Sequence, residues 1–219
     1  MIRYVFFDLD VTVADTLEDL ANAVNYALSE SALPTYPVAD YRYFVGSGVD
    51  NLIRTVLRDR YSEELAEKTK RLFRDYYADH CLDCTKAYPG MSELLHQLDE
   101  DGIVTAVISN KPDRFVPVIL HALYPDHHFA LMRGQQEKIP RKPAPDALFA
   151  AMSALGATDR DSLYVGDSNV DVRFAHAAGV RVCGVEWGFR GREELIREGA
   201  DEIVTTPKEI YQVITKDKE

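Results

Sequence analysis

The chain has 219 residues, of which 46% are hydrophobic and 28% charged, and 25 Lys and Arg against 36 Asp and Glu give a formal net charge of -11. This length suits one large domain or a domain with an insertion, and the composition is that of a folded globular protein. The acidic balance disfavours nucleic acid and anionic membranes as partners, so an anionic substrate would need a few placed cations and a metal ion.

The sequence contains no obvious targeting or redox signal. No stretch approaches the roughly 20 apolar residues needed to cross a bilayer, and residues 1–7 lack the pattern of a signal peptide. A cytoplasmic protein is therefore expected. The three cysteines, Cys81, Cys84 and Cys183, are too few for a disulfide scaffold. Cys81 and Cys84 form a lone CxxC, for which reduced thiols near a helix end are a simpler interpretation than a zinc or redox site.

Short apolar runs alternate with helical patterns along most of the chain. The runs predict strands at 3–7, 103–108, 163–165 and 181–185, and the patterns between them predict helices at 92–100, 113–123, 145–155 and 169–178. Continuous apolar runs are typical of parallel strands covered by helices on both faces, so we expect an α/β fold with a Rossmann-like core. Polar residues follow the first three runs, and the carboxyl ends of neighbouring parallel strands share one crevice.

The segment from about Thr16 to Tyr88 has a different pattern. Its apolar residues recur at helical spacing, and it contains no convincing strand. It is too long for a plain loop, so we expect a helical cap domain at 16–87 and an α/β catalytic core formed by 1–15 and 88–219. A cap over the strand ends would exclude water and select substrates.

The first candidate site is the segment FDLDVT at residues 7–12, directly after the first predicted strand. Residues two apart in an extended chain point the same way, so Asp8 and Asp10 are expected to face one small volume. Two carboxylates this close repel one another unless a cation is present or one is protonated. Mg²⁺ takes oxygen ligands, an ionised Asp is able to attack phosphorus, and a partner Asp is able to shuttle protons. An Asp-x-Asp is also common in turns and caps, but its place after a buried run favours catalysis.

Two further segments supply groups that suit a phosphate. The segment SNKP at 109–112 follows the second predicted strand and leads towards a helix. There the Ser109 hydroxyl and the backbone N–H groups at Asn110 suit a phosphate oxygen, with simple helix capping as the alternative. In the segment RKPAPD at 141–146, Lys142 is held before prolines as a positioned charge, able to neutralise a nucleophile and a transferring phosphoryl group.

Carboxylates recur in the segment GDSNVD at residues 166–171. Asp167 ends the third predicted strand, and Asp171 lies four residues on, facing the same side of the first helical turn. One or two carboxylates with waters and a substrate phosphate are common ligands of Mg²⁺. Acidic residues also favour helix N-termini through the helix dipole, so both interpretations of this pair stay open.

Together the four segments resemble motifs one to four of the haloacid dehalogenase-like phosphohydrolases, in the same order and over nearly the whole chain. The resemblance implies that Asp8 is the nucleophile, which becomes an aspartyl phosphate, and that Asp10 protonates the leaving group and then activates water. It also implies Mg²⁺ as cofactor. The remaining implied roles are phosphate binding by Ser109 and Asn110, charge neutralisation by Lys142, and Mg²⁺ binding by Asp8, Asp10 (through its backbone carbonyl), Asp167 and Asp171.

Other segments are similar to the phosphoglycolate phosphatase subgroup of that family. They are YPG at 88–90, SNKP at 109–112, EWGFR at 186–190 and GAD at 199–201. In that subgroup a helical insertion between the first two motifs is a C1 cap, and the segment VGSG at 45–48 looks like its substrate-specificity loop. The resemblance implies a small phosphorylated metabolite as substrate, foremost 2-phosphoglycolate, with Gly46, Ser47 and Arg54 as substrate-binding candidates.

One position departs from the family pattern. The residue after the second Asp is usually Gly, whereas this chain has Val11. If the backbone there needs a positive φ, a β-branched residue would be strained. We expect the protein to retain phosphatase activity with Val11 at this position, and an altered rate is one consequence that the substitution for Gly would have.

Two alternatives to a phosphatase stay open at the level of sequence. A sugar phosphomutase of the β-phosphoglucomutase type shares all four motifs. A non-catalytic binding protein that keeps the fold is the second alternative, with Val11 as its symptom, although every charged catalytic position is intact. The oligomeric state is also open, with a homodimer as one option.

Overall fold

Helices and strands alternate along residues 1–216, the part of the chain described by the computed structural model. The strands are β1 (Tyr4–Phe7), β2 (Ala14–Asp15), β3 (Lys86–Ala87), β4 (Val104–Pro112), β5 (Leu131–Gln135), β6 (Ser162–Gly166), β7 (Arg181–Val185) and β8 (Glu202–Val204). The α-helices are α1 (Leu17–Ser29), α2 (Val49–Leu57), α3 (Glu63–His80), α4 (Met91–Glu100), α5 (Phe115–Leu123), α6 (Asp146–Leu155), α7 (Asn169–Ala177), α8 (Gly191–Glu198) and α9 (Pro207–Thr215). None of the helices in that range combines the length and the apolar character needed to cross a membrane.

Six strands form a parallel sheet in the order β5-β4-β1-β6-β7-β8. β1 lies between β4 and β6, with Phe7 level with Val107 on one side and Val165 on the other. The chain moves outward from β1 to β4 and β5, then returns to the far side of β1 for β6, β7 and β8. In open α/β sheets a ligand crevice lies at the carboxyl ends of the strands where the order reverses, which here is beside β1.

The side chains of β1 alternate between the two faces of the sheet. Val5 and Phe7 join an apolar cluster with residues of α4, α5 and α9, whereas Tyr4 and Phe6 join a second cluster with residues of α6, α7 and α8. Both faces of the sheet are therefore covered by helices. This explains the continuous apolar runs in the sequence and confirms the predicted parallel α/β core.

The sheet differs from the prediction at its edges and in β4. The edge strands β5 and β8 were not expected, because their partly exposed side chains form no continuous apolar run. The second predicted strand does not end at Ile108 but continues to Pro112, with a shift of register between these two residues. The expectation that residues 109–112 follow the strand and lead into a helix is therefore wrong, since α5 begins only at Phe115.

The insertion between β1 and β4 is helical, as predicted. Residues of α1, α2 and α3 form a third apolar cluster, the cap cluster, which also includes Val11, Phe115 and Phe189 and is distinct from the two clusters against the sheet. The chain enters and leaves the insertion side by side, because β2 pairs antiparallel with β3. The two-residue strand β3 corrects the expectation of no strand between Thr16 and Tyr88; it is too short to show a period. The division into 16–87 and the rest of the chain stays a prediction.

Candidate active site

The four motif segments converge at the carboxyl ends of three neighbouring strands. Asp8 follows β1, Asn110 lies in the last part of β4, and Asp167 follows β6. Lys142 comes from the loop between β5 and α6, and Asp171 lies in the first turn of α7. All five side chains are buried. The sheet thus brings together groups that are far apart in sequence, as the parallel-strand argument predicts.

Asp8 is held so that its two carboxylate oxygens differ. Oδ1 accepts hydrogen bonds from the Leu9 N–H at 2.7 Å and from the Lys142 ammonium at 2.9 Å. Oδ2 accepts none from residues 1–216. Burial raises the pKa of Asp8 to about 6, although Lys142 opposes the rise, and the carboxylates of Asp171 and Asp10 add to it. One oxygen is therefore fixed, and the other is available for chemistry.

Lys142 joins the nucleophile candidate to the carboxylate of α7. Its Nζ lies 2.9 Å from Asp8 Oδ1, 2.8 Å from Asp171 Oδ1 and 2.9 Å from the Tyr164 hydroxyl, which uses all three ammonium donors. Burial disfavours the charged form, but the carboxylates of Asp171 and Asp8 outweigh it and raise the pKa of Lys142 well above its usual value. Lys142 therefore remains a cation. Tyr164 was expected only as part of an apolar strand, and nothing in the sequence pattern signals its hydroxyl.

Asp167 and Asp171 occupy different environments. Oδ2 of Asp171 accepts hydrogen bonds from the Ser168 hydroxyl at 2.7 Å and from the Ser168 N–H at 3.2 Å, within a capping box at the start of α7. Oδ2 of Asp167 accepts from the Phe189 N–H at 2.6 Å. Burial raises the pKa of Asp167 well above its usual value, and repulsion from Asp171 and Asp8 adds to the rise. Asp171 thus caps α7, which is one of the two interpretations left open by the sequence, and Mg²⁺ binding by this residue stays a prediction.

Three of these carboxylates are placed to share a cation. Asp8, Asp167 and Asp171 each offer an oxygen, and these oxygens all lie within 4.8 Å of one another. The buried charges at the strand ends are the carboxylates Asp8, Asp10, Asp167 and Asp171 and the ammonium groups Lys111 and Lys142. When all four aspartates are ionised, four negative charges face two positive ones, and a divalent cation would balance the difference; all-oxygen donors suit a hard cation. The donor set therefore fits a divalent metal ion.

Asp10 lies beside the nucleophile candidate and has its own partners. Its Oδ1 accepts hydrogen bonds from the Thr16 hydroxyl at 2.7 Å and from the Lys111 ammonium at 2.8 Å. Burial is the largest single effect on Lys111 and opposes its charge, but Asp10 and Tyr77 together outweigh it and raise the pKa of Lys111. The sequence analysis gave Lys111 no role. The sequence feature that could have identified it is its position shortly after an apolar run, but that segment was expected to lie beyond the strand.

Ser109 and Asn110 are both buried at the site. The Ser109 hydroxyl oxygen accepts a hydrogen bond from the Lys111 N–H at 3.3 Å. The Asn110 side chain is committed to structure, since it accepts from the Lys142 N–H at 2.9 Å and donates to the Lys142 carbonyl at 3.1 Å. It also donates to the Gly46 carbonyl at 3.1 Å, which ties the cap loop to the core. Phosphate binding by these residues stays a prediction.

The three cap residues proposed from the sequence lie in different places. Gly46 lines the cavity above the strand ends, and Ser47 is half-buried in the same loop. Arg54 is exposed on α2, where its guanidinium stacks at 4.3 Å on the Tyr61 ring. The structure therefore brings Gly46 to the site and leaves Arg54 apart from the cavity-lining residues.

Val11 adopts the backbone conformation that favours glycine. Its φ is 60°, and its N–H donates to the Ala14 carbonyl at 2.7 Å. A left-handed conformation costs a non-glycine residue roughly 1–2 kcal/mol. The side chain is buried in the apolar cluster of the cap, so packing offsets part of this strain.

A cavity of about 40 Å³ opens above the strand ends, between the core and the cap. Its charged lining residues are Asp8, Asp10 and Lys111. Its apolar lining residues are Leu20, Val45, Val49, Leu52, Phe73, Pro112, Phe115 and Phe189. A charged floor under a largely apolar cover suits a small anionic substrate.

The fold and the site define an α/β enzyme whose clustered aspartates lie at the strand ends beneath a helical cap. The sequence matches the haloacid dehalogenase-like hydrolase family over residues 5–185, and the chain belongs to that family. It is 38% identical over 192 residues to a phosphoglycolate phosphatase of Pseudomonas putida, covering 85% of this chain and 70% of that protein. It is 34% identical over 214 residues to phosphoglycolate phosphatase 1 of Pseudomonas aeruginosa, covering 95% and 78%.

Solved structures agree with these sequence relatives. A protein from Lactobacillus delbrueckii subsp. bulgaricus superposes with a TM-score of 0.92 at 31% identity, covering 97% of this chain and 98% of that one. A predicted phosphoglycolate phosphatase from Haemophilus somnus superposes with a TM-score of 0.89 at 29% identity, covering 97% of each chain. The chain is accordingly a phosphoric monoester hydrolase, as the sequence analysis expected.

Proposed function

We propose that the protein hydrolyses a small phosphate monoester, foremost 2-phosphoglycolate, with Mg²⁺ as cofactor and a phosphorylated Asp8 as intermediate. The names of the sequence relatives support the substrate. The observation that carries the mechanism is the asymmetry of Asp8, whose Oδ1 is held by the Leu9 N–H and Lys142 while Oδ2 is free of hydrogen bonds from residues 1–216.

In the first step, Oδ2 of Asp8 attacks phosphorus and the bond from phosphorus to the ester oxygen breaks. Asp10 gives its proton to that leaving oxygen, so that an alcohol departs. Thr16 and Lys111 hold Oδ1 of Asp10, which leaves its Oδ2 to carry the proton. The product of the step is a phosphoryl group on Asp8 and an ionised Asp10.

In the second step, the Asp10 carboxylate takes a proton from water, and the water oxygen attacks the phosphoryl group. The bond from phosphorus to Asp8 breaks, inorganic phosphate leaves, and both aspartates return to their starting forms. Lys142, 2.9 Å from Asp8, stabilises the carboxylate that is released. A divalent cation held by Asp8, Asp167 and Asp171 would neutralise charge on the phosphoryl oxygens.

The test measures phosphate release from 2-phosphoglycolate and a panel of small phosphate esters, with Mg²⁺ and with a chelator. We expect metal-dependent release by the wild type and a loss of about 10³-fold or more in Asp8→Asn, because the amide is a poor nucleophile. The matched control is Asp126→Asn, an exposed aspartate away from the site. Metal-independent release, or a fully active Asp8→Asn enzyme, would contradict the mechanism. Product analysis with sugar phosphates separates hydrolysis from isomerisation by a phosphomutase.

A further inference from the structure

Lys111 is a buried cation in the cavity wall with capacity for another partner. Its side chain enters from β4 and is 4% exposed as a residue. One of its three ammonium donors is directed to Asp10 Oδ1 at 2.8 Å, and the ammonium lies 4.7 Å from the centre of the Tyr77 ring. Lys142 already neutralises the nucleophile, and the contact with Asp10 uses only one of the three donors of Lys111.

Tyr77 reaches the same place from the cap. It lies on α3 and is 1% exposed, and its buried hydroxyl lies near the Lys111 ammonium but has no partner of good hydrogen-bond geometry among residues 1–216. A buried hydroxyl left without a good partner destabilises the folded protein, and a ligand atom that accepts from it removes that cost. The ring is fixed by stacking on Phe73 at 5.4 Å and by an edge contact with Phe115 at 5.0 Å. Burial raises the pKa of Tyr77, so the hydroxyl stays neutral and able to donate.

The rest of the cavity offers nothing comparable to an anion. Within the described part of the chain, Lys111 is the one cationic side chain among the residues that line this cavity. The cap side of the cavity is otherwise apolar, and a buried carboxylate without a counterion is strongly unfavourable. A second anionic group on a substrate in this cavity would therefore bind beside Lys111 and Tyr77.

We propose that Lys111 and Tyr77 together bind a carboxylate of the substrate, next to the scissile phosphate ester. Asp10 must reach the ester oxygen, and Lys111 contacts Asp10, so the carboxylate lies on the carbon adjacent to that oxygen. The inference rests on the proposed phosphatase function and names its substrate class, the phosphate esters of small 2-hydroxy acids. Lys111 belongs to the core and Tyr77 to the cap. The subsite is therefore complete only where the core and the cap both contact the substrate.

The experiment compares two esters of equal carbon number, 2-phosphoglycolate and 2-hydroxyethyl phosphate, in which a hydroxymethyl group replaces the carboxylate. We expect Lys111→Met to lower the ratio of their kcat/KM values at least about tenfold, and Tyr77→Phe to lower it severalfold. A loss shared by both esters reports the contact of Lys111 with Asp10, so the ratio isolates the carboxylate. The matched controls are Lys68→Met and Tyr76→Phe on α3, the cap helix that carries Tyr77. Both should leave the ratio and the rates unchanged.

A binding measurement separates failure of this inference from failure of the proposed function. Dissociation constants of both esters are measured by calorimetry with Mg²⁺ in an Asp8→Asn background, with and without Lys111→Met or Tyr77→Phe. Loss of the preference for 2-phosphoglycolate supports the subsite, even if the wild type releases no phosphate. Unchanged preference in both variants overturns the subsite while leaving a phosphatase intact. Lys111→Arg, which keeps the charge, should retain part of the preference, and thermal unfolding of each variant checks that it is folded.

Discussion

The two halves of the cavity are built on opposite principles. The core half carries the charged side chains, which are held by hydrogen bonds and ion pairs, as in the contacts of Lys142 with Asp8 and Asp171, beside the apolar Pro112, Phe115 and Phe189. The cap half is an apolar surface, formed by residues such as Val49 and Leu52, into which Tyr77 brings a polar atom. Fixed charges suit the stabilisation of a transition state, whereas an apolar surface excludes water and selects substrates by shape. Chemistry and selection are thus separated between core and cap.

The largest effect is expected from breaking the core half at Lys142. Lys142→Met leaves Asp8 and Asp171 without their shared cation, and we expect kcat to fall about 10³-fold, or about 4 kcal/mol in activation free energy. Loss of one partner from a buried ionic network also destabilises by about 3–5 kcal/mol. Steady-state kinetics and thermal unfolding measure the two effects separately.

Two companion variants sharpen this contrast. Lys208→Met, on the exposed side of α9, should leave rate and stability unchanged. Val49→Ala, in the cap wall, should change KM more than kcat, because it alters the fit of the substrate and not the fixed charges. If Lys142→Met kept kcat within tenfold of the wild type, the separation of the two halves would not hold.

The same contrast explains what the sequence could predict. Asp8 and Asp167 were selected because polar residues that follow parallel strands must meet at one edge of the sheet, whatever the details of packing, whereas Lys142 was selected as a charge held before prolines. No such rule places a cap side chain. Arg54 was a candidate implied by the family resemblance, yet it lies exposed on Tyr61, and the buried Tyr77 was given no role from the sequence. Lys111 was overlooked because its segment was expected to follow the second strand and lead towards a helix, whereas it lies within β4.

The next largest expected effect is the pH dependence of stability in the absence of metal, which follows from the buried carboxylates of the core half. Burial raises the pKa of Asp8 to about 6 from 3.8, so the folded protein holds a proton that the unfolded chain has lost between these pH values. The free energy of unfolding should therefore fall as pH rises through this window, by about 3 kcal/mol at most. The raised pKa of Asp167 acts in the same direction. Thermal unfolding in chelator should show a higher Tm near pH 5 than near pH 7.

Two measurements check the assignment of this pH dependence. Mg²⁺ favours the ionised carboxylates, so its addition should reduce the fall of Tm between pH 5 and pH 7. Asp8→Asn removes one of the titrating groups and should flatten the metal-free profile. A profile that is equally steep in Asp8→Asn would assign the effect to other groups.

The smallest effect is expected at Val11, which belongs to a core motif but packs in the apolar cluster of the cap. At its φ of 60°, glycine avoids a backbone cost of roughly 1–2 kcal/mol that alanine retains. Both Val11→Gly and Val11→Ala lose buried methyl groups and should destabilise, but the glycine variant should be more stable than the alanine variant by about 1 kcal/mol. Urea unfolding measures the difference in the free energy of unfolding between the two variants.

The matched control is Val13, which is buried nearby and is not among the residues of positive φ. Val13→Ala should therefore be more stable than Val13→Gly. If alanine were better at both positions, packing in the cap cluster and not backbone strain would decide the cost of Val11.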